Sequence, residues 1–259
     1  MKSLVRAAER ILSNTPLEQP AKWLWSELSS IGRPRARQSL QYDRETVAVL
    51  KRIARPDSNC VDVGCHRGSL MRTIIQLAPQ GRHFGFEPIP HLAQNLQRSF
   101  PGVTIKAMAL SDHAGQAQFC HVADNPGLSG FKRMGHVSAD AQVQQITVEV
   151  DTLDHVLPQG LPITFIKIDV EGAQLEVLRG ARETLERSRP HVVFEHGALA
   201  REGYGTTSEM VYDLLVGECR LNISLMSSWL AGGGTLSREG FAGQVGTHAG
   251  SQFCFLAHP

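Results

Sequence analysis

The sequence has 259 residues, 42% of them hydrophobic and 20% charged, which is typical of a globular chain with one large domain and appendages. Its formal net charge is +1, so no strong field gathers polyanions and a nucleic-acid partner is not indicated. Neither a signal peptide nor an apolar run long enough for a membrane span is visible, and five cysteines without a Cys-x-x-Cys pair favour free thiols in a cytoplasmic protein.

Residues 1–40 are predicted to form a helical extension that precedes the main domain, residues 41–259. Apolar residues recur at helical spacing on both sides of a proline-containing break, so two short helices are expected in the extension. The second of these helices carries Trp23 and Trp25. Such large aromatic side chains are seldom left exposed to solvent. They could pack on the main domain, line a substrate entrance or contact a second copy of the chain.

The stretch Val61–Ser69 predicts a strand, a tight turn and the start of a helix. Its two β-branched valines suit a buried parallel strand. Gly64 and Gly68 allow a sharp turn and a close approach of the backbone to a ligand. In doubly wound sheets, the carboxyl end of the first strand is where nucleotide-like ligands bind.

An acidic residue, Asp62, stands just before this turn and narrows the choice of ligand. A dinucleotide-binding turn has the spacing G-x-G-x-x-G, which is absent here. An acid followed by G-x-x-x-G instead suits a ligand with a cationic amino-acid end, such as S-adenosylmethionine (SAM). The alternative is a tight turn of the kind found in any α/β protein.

Glu87 ends the second predicted strand, His83–Phe86, and Pro88 follows it. A ribose-binding acid is expected roughly 20 residues after the first turn of a nucleotide-binding fold. A carboxylate there can accept hydrogen bonds from both ribose hydroxyls, although Glu87 could also be a solvated residue at a strand end.

Ala109–Asp112 is predicted to form a loop after the third predicted strand, residues 103–108, and this loop is expected to lie beside the adenine. Ser111 or Asp112 could bond the exocyclic amine of the adenine. Asp112 could equally stabilise a local turn with Gly115.

A loop rich in turn-forming residues, Asp124–Gly130, separates two extended segments, Ala117–Val122 and Ile146–Val150, which are expected to pair. Because it has few structure-forming residues, the region Asp124–Gly135 is predicted to be a lid that orders when a ligand binds. Ser129 would then face the acceptor.

Asp169 and Glu195 end the fourth and fifth predicted strands, Ile163–Ile168 and Pro190–Phe194. Helices are expected at residues 43–55 and 173–187. Several β-α units in sequence predict a mostly parallel sheet with helices on both faces, in which the two carboxylates stand side by side. Strand alternation makes Lys167 the expected charge partner of Asp169.

Three side chains at this edge are candidates for chemistry. Asp169 or the adjacent His196 could take a proton from an acceptor hydroxyl. Alternatively, Asp169 and Glu195 could hold Mg²⁺, whose charge would acidify that hydroxyl. A structural alternative is that Glu195 and His196 only bond loop backbone.

The stretch Ile166–Ala173, with Leu175–Ala181 after it, resembles the FkbM family of SAM-dependent methyltransferases. Three earlier segments resemble the preceding family motifs in the same order: Val61–Ser69, Phe86–Pro88 and Ala109–Asp112. The resemblance covers about Cys60 to Gly197.

The resemblance implies a doubly wound, mostly parallel, seven-stranded sheet of the Rossmann-like class I methyltransferase type. It also implies SAM as the methyl donor and a hydroxyl of a sugar or natural product as the acceptor. Ser129 and Glu171 are expected to contact the acceptor. The expected cofactor contacts are Asp62, Gly64, Cys65, His66, Gly68, Ser69, Glu87, Pro88, Ala109, Leu110, Ser111, Asp112 and Asp169.

Three positions depart from the family pattern: Cys65 and His66 in the first turn, and Gln174, where an acid is frequent. Other functions stay open beside sugar O-methylation. Methylation of RNA or of a nitrogen acceptor is disfavoured by the lack of a basic face and of an Asn-Pro-Pro-Tyr run. A non-catalytic SAM-binding module would use the N-terminal tryptophans to contact a partner, and a dehydrogenase lacks its glycine spacing.

Overall fold

The computed structural model describes residues 34–135, 137–246 and 253–259. The chain divides into two compact units, Met1–Thr46 and Val47–Pro259. The predicted N-terminal helices and both tryptophans lie outside the described residues, so the extension and its suggested role in oligomer formation stay predictions.

The first described helix, α1, spans Pro34–Ile53 and therefore begins earlier than its predicted start at Asp43. Proline at the start of a helix is compatible with this geometry, because the first N–H groups have no partner within the helix. Within this helix, Gln38 donates a hydrogen bond to the Tyr42 hydroxyl at 2.9 Å.

Seven strands of the described chain form one sheet, which confirms the predicted architecture. They are β1 (Cys60–Val63), β2 (His83–Phe86), β3 (Thr104–Lys106), β7 (Phe165–Ile168), β8 (His191–Glu195), β9 (Asn222–Ser224) and β10 (Cys254–His258). Their order is β3-β2-β1-β7-β8-β10-β9. The first five strands run parallel, whereas β10 is antiparallel to both of its neighbours.

The strand order reverses its direction of growth between β1 and β7. From β1 the chain builds outward to β2 and β3, and from β7 it builds in the opposite direction to β8. Both strands lie in the centre of the sheet, and Val61 and Ile166 are fully buried neighbours. In such sheets, ligands bind beyond the carboxyl ends of the strands at this reversal.

Helices connect these strands along the chain. Those up to β8 are α2 (Ser69–Leu77), α3 (Pro90–Ser99), α4 (Leu153–Val156), α5 (Gln174–Arg179) and α6 (Arg182–Ser188). After β8 come α7 (Ala198–Tyr204), α8 (Ser208–Tyr212), a π-helical segment (Asp213–Glu218), α9 (Met226–Leu230) and α10 (Arg238–Gln244). In the part of the chain that is described, no helix has both the length and the apolar character needed to cross a membrane.

One predicted helix, residues 173–187, is in fact two helices, α5 and α6, with Gly180 between them. A Cβ atom at Gly180 would lie 2.0 Å from the backbone oxygen of Ser111. The close approach of a distant loop therefore requires glycine at the break between the helices, a contact that helical periodicity cannot reveal.

A second, three-stranded sheet lies beside α3. It consists of β4 (Ala109–Leu110), β5 (Gly115–Val122) and β6 (Val143–Asp151), in the order β4-β6-β5. The antiparallel pairing of β5 with β6 confirms the predicted pair, whereas β4 was predicted as a loop. Phe119 and Val148 of this sheet are buried with Ile89 and Leu92, which anchors the small sheet next to the end of β2.

Candidate active site

A cleft with a cavity volume of about 160 Å³ opens at the carboxyl ends of β1, β2 and β7. Nine predicted site residues line it together: Gly64, His66, Glu87, Pro88, Ala109, Leu110, Ser129, Asp169 and Glu171. Three further lining residues belong to the predicted lid: Pro126, Gly127 and Phe131. The others were not predicted as site residues: Val63, Phe86, Ile89, Met108, Phe119 and Val170.

Gly64 forms the turn after β1 in a conformation that requires glycine. Its φ is +81°, and its N–H donates a hydrogen bond to the Phe86 oxygen at 3.0 Å. A Cβ atom there would lie 1.9 Å from the backbone oxygen of Asp169. Glycine is thus needed first for the packing of β1 against the end of β7, in addition to the predicted approach of a ligand.

Other residues of the first turn shape it without lining the cleft. Gly68 has a φ of +73°, and a Cβ atom there would collide with the side chains of Leu96 and Phe100. Cys65 is buried, and its Sγ lies 3.0 Å from the backbone oxygen of Asp62. Cys65, Gly68 and Ser69 do not line the cleft, so their expected contacts with the cofactor stay predictions.

Glu87 joins two loops at the floor of the cleft. Its side chain accepts hydrogen bonds from the N–H of His66 at 2.8 Å and from the N–H of Ile89 at 2.9 Å, one to each carboxylate oxygen. The residue is only 4% exposed, and burial raises its pKa to about 7 against the effect of these donors. Each oxygen still has a second lone pair, so Glu87 can hold the loops and accept ribose hydroxyls.

A charged row runs below the cleft from β1 to β7. Asp62 is the register partner of Lys167, and Lys167 Nζ donates a hydrogen bond to Asp169 Oδ2 at 2.7 Å. This contact confirms Lys167 as the charge partner of Asp169. Asp62 is 2% exposed and does not line the cleft. Its predicted contact with the cofactor therefore stays a prediction, and burial raises its pKa to about 6.

The proposed metal site at Asp169 and Glu195 does not fit this arrangement. Burial works against a charge on Lys167, yet the neighbouring carboxylates, first of all Asp169, raise its pKa. The cation that these acids share is thus the lysine itself. Asp169 lines the cleft but Glu195 does not, and the described residues contain no cluster of three or more His, Cys, Asp or Glu suited to a metal.

His196 does not reach the cleft, which removes the support for its predicted role as a base. The residue is 2% exposed, its ring stacks on Phe241 at 5.4 Å, and its Nε2 lies 3.1 Å from Ser208 Oγ. Glu195, the last residue of β8, does not line the cleft either.

The first two residues of the loop predicted to hold the adenine line the cleft, together with the residue before the loop. Met108, Ala109 and Leu110 line the cleft, whereas Ser111 and Asp112 do not. Asp112 Oδ1 lies 2.9 Å from His113 Nδ1, and this hydrogen bond lowers the pKa of Asp112. The structure therefore favours a local role for Asp112 over a bond to the exocyclic amine.

The predicted lid forms the opposite wall of the cleft. It contains a 3-10 turn, Pro126–Leu128, and Gly130 pairs with Cys120 of β5. Ser129 Oγ accepts a hydrogen bond from the N–H of Val122 at 3.0 Å. Phe131 packs edge-to-face on Phe119 at 5.8 Å. The ordering of this lid on ligand binding stays a prediction.

Glu171 lines the cleft from a backbone conformation that is unusual for its residue type. Its φ is +51°, and the next residue, Gly172, has a φ of +106°. A Cβ atom on Gly172 would lie 2.6 Å from the ring of Tyr204. Burial, and then the charge of Asp169, raise the pKa of Glu171 to about 8.

A seven-stranded sheet of this order, with a cleft at its reversal point and an acid at the end of β2, has the architecture of a class I methyltransferase. Residues 62–219 match the model of the methyltransferase FkbM domain. Because this match covers more than half of the chain, the chain belongs to the FkbM methyltransferase family, and the predicted resemblance is confirmed. Membership supports SAM as the methyl donor.

Two curated proteins are similar to the chain. It is 33% identical over 167 residues to the 2-O-methyltransferase NoeI of Sinorhizobium fredii (strain NBRC 101917 / NGR234), an alignment that covers 58% of this chain and 67% of NoeI. It is 29% identical over 155 residues to the methyltransferase sdnD of Sordaria araneosa, covering 48% of this chain and 60% of sdnD.

A solved structure, the methyltransferase FkbM from Methylobacillus flagellatus KT, is 16% identical with a TM-score of 0.48. That match covers 78% of this chain but only 44% of the solved chain. The assignment of the fold rests instead on the strand order and the family model. The chain spans less than two thirds of sdnD and of the solved chain, so the acceptor and the full activity are matters for proposal.

Proposed function

We propose that this protein transfers a methyl group from SAM to a hydroxyl of a saccharide or a related small molecule. The observation that carries the proposal is the position of Asp169, in the cleft between the Glu87 side and the wall that contains Ser129 and Glu171. Membership of the FkbM family supports the methyl donor, and the similarity to a protein named as a 2-O-methyltransferase supports oxygen as the acceptor atom.

The residues of the cleft fit SAM at three points. Glu87 would accept hydrogen bonds from the ribose, and its hydrogen bonds to two loop N–H groups hold it in place for that task. Met108 and Leu110 provide apolar surface for the adenine. Asp169 places negative charge where the cationic end of the cofactor would lie.

SAM supplies an electrophilic methyl group, whose bond to sulfur breaks as the bond to the acceptor oxygen forms. The protein contributes mainly by holding the reactants about 3–3.5 Å apart and in line, which can supply ~7–11 kcal/mol. The hydroxyl proton passes to Asp169, which reaches the cleft where His196 does not. Burial raises the pKa of Glu171 to about 8, so near pH 7 this side chain is mostly protonated and would donate a hydrogen bond to the acceptor.

The test is single-turnover methylation with labelled SAM and a panel of free and lipid-linked glycosides, read by mass. Asp169→Asn should slow transfer by about 10²–10⁴-fold, the usual effect of a positioned acid or base. His196→Ala is the matched comparison. It should lower the melting temperature, because a buried ring and its contact with Ser208 are lost, and leave the rate per folded molecule close to that of the wild type.

Three outcomes would contradict the proposal. A normal rate for Asp169→Asn would remove the proposed base. SAM binding without transfer to any acceptor would favour the non-catalytic module. Transfer to RNA, with binding that weakens steeply as salt increases, would favour a nucleic-acid substrate.

A further inference from the structure

We propose that Lys167 is a positioning residue that fixes the orientation of the Asp169 carboxylate in the cleft, and that Asp62 holds Lys167 in place. The inference rests on the proposed function, because it assigns a task to the carboxylate that receives the acceptor proton. It starts from the charged row that lies below the cleft.

Lys167 stands between two acids that come from different strands. Asp62 is its neighbour across the β1–β7 pairing, and Asp169 directly follows the last residue of β7. The side chain of Lys167 is 17% exposed, and its ammonium is 2.7 Å from Asp169 Oδ2. A lysine this deeply placed is retained only if its charge is paired.

The pairing restricts how Asp169 can act. The contact with Lys167 uses one lone pair of Asp169 Oδ2 and so fixes how the carboxylate is turned. Oδ1 is thereby held in one position, where it can meet an acceptor hydroxyl. Without the ammonium, the Asp169 side chain could rotate about its χ angles and present either oxygen.

Other charged groups facing Lys167 do not replace this contact. Glu195 raises the pKa of Lys167 less than Asp169 and Asp62 do. The charge of Lys167 also acts on two other groups of the cleft, since it acts to lower the pKa of Glu171 and of His66. Asp62 is the fully buried member of the row, so it can hold the lysine but cannot reach the acceptor itself.

Lys167 could have a structural role only, which would be to neutralise buried acids. Removing Lys167 alone leaves the acids unbalanced and could prevent folding. The double variant Asp62→Asn with Lys167→Met removes one negative and one positive charge from the row at nearly constant volume. It therefore separates the neutralising role from the positioning role.

The experiment compares this double variant with the wild type and with Lys167→Arg. Lys106→Met, at another partly buried lysine on a sheet strand, is the control. The double variant should melt near the wild-type temperature and keep the KM for the acceptor. Its kcat should fall by about 10²-fold, the effect expected for a misplacement near 1 Å. Lys167→Arg, which keeps the charge, should recover part of kcat.

A crystal structure of the double variant provides a readout that does not depend on turnover, and we expect Asp169 in more than one rotamer. A wild-type kcat in the folded double variant, or an unchanged single rotamer of Asp169, would overturn the positioning role. If the wild type methylates none of the glycosides, the proposed function fails, while the rotamer result still decides the role of Lys167.

Discussion

The two walls of the cleft are held in different ways. On the wall proposed to bind SAM, called the cofactor side, contacts between distant segments leave little freedom: Gly64 lies against the Asp169 carbonyl, and Glu87 bonds two loop N–H groups. On the wall proposed to bind the acceptor, called the acceptor wall, the loop around Ser129 is held by a few local hydrogen bonds and by Lys132, which bonds the Gly203 oxygen at 2.7 Å. We therefore expect substitutions on the cofactor side to cost more stability than substitutions on the acceptor wall.

The largest effect is expected from a change on the cofactor side, Gly64→Ala. The new Cβ atom would lie 1.9 Å from a backbone oxygen, at a φ of +81°, so neither the space nor the conformation suits alanine. Overpacking and left-handed strain together should cost about 3 kcal/mol or more in the free energy of unfolding. Chemical denaturation measures this loss. Gly102→Ala, which would meet no atom within 4 Å, is the control and should change stability little.

A smaller effect is expected from Glu87→Gln, which keeps the size of the side chain. Loss of a charged acceptor for the ribose should weaken SAM binding by roughly 1.5–3 kcal/mol. Calorimetry gives the dissociation constant, and the melting temperature reports any loss of the loop contacts at His66 and Ile89. An unchanged dissociation constant would exclude Glu87 from the cofactor site.

Stability should depend on pH through buried carboxyls on both walls of the cleft. Burial raises the pKa values of Asp62, Glu87 and Glu171 to about 6, 7 and 8. Between pH 5 and 8 the folded protein therefore keeps protons that the unfolded chain has lost, and these groups make stability fall as pH rises.

Melting temperatures across this range test the expectation on the protein without cofactor. Glu87→Gln and Glu171→Gln should each flatten the pH dependence, because each removes one of these protonated groups. Glu183→Gln, at an exposed helical position, should leave it unaltered. A wild-type stability that does not fall between pH 5 and 8 would contradict the raised pKa values of these carboxyls.

The smallest effect is expected on the acceptor wall, from Lys132→Met. The substitution removes the hydrogen bond to the Gly203 oxygen. It also removes the cation–π contact of the ammonium, which lies 4.8 Å from the centre of the Tyr204 ring. Because Lys132 is exposed, the loss of stability should be less than about 1 kcal/mol.

Limited proteolysis provides the second measurement for this loop. Cleavage within residues 124–135 should become faster in Lys132→Met, and SAM with an acceptor should slow it. Lys51→Met, on the exposed side of α1, is the control. Equal cleavage with and without ligands would contradict the predicted lid.

Much of the fold could be predicted from the sequence because it depends on local pattern and chain order. Alternating strands and helices predicted a parallel sheet, and the carboxyl ends of parallel strands converge, so Glu87 and Asp169 were expected at one edge. The family motif around Asp169 added the seven-stranded form and the methyl donor. The cleft then forms when β1 pairs with β7, a strand that is distant from it in the chain.

Contacts between segments far apart in the chain were decided by the tertiary structure. Gly180 interrupts a predicted helix because the Ser111 carbonyl approaches it, and His196, just beyond β8, is buried because α10 brings Phe241 against its ring. Asp62, which was expected to touch the cofactor, lies buried opposite Lys167, its register partner across the sheet. The sequence by itself determined which residue types stand at the strand ends. Which of them face the cleft was set by side-chain packing from segments that come together only when the chain folds.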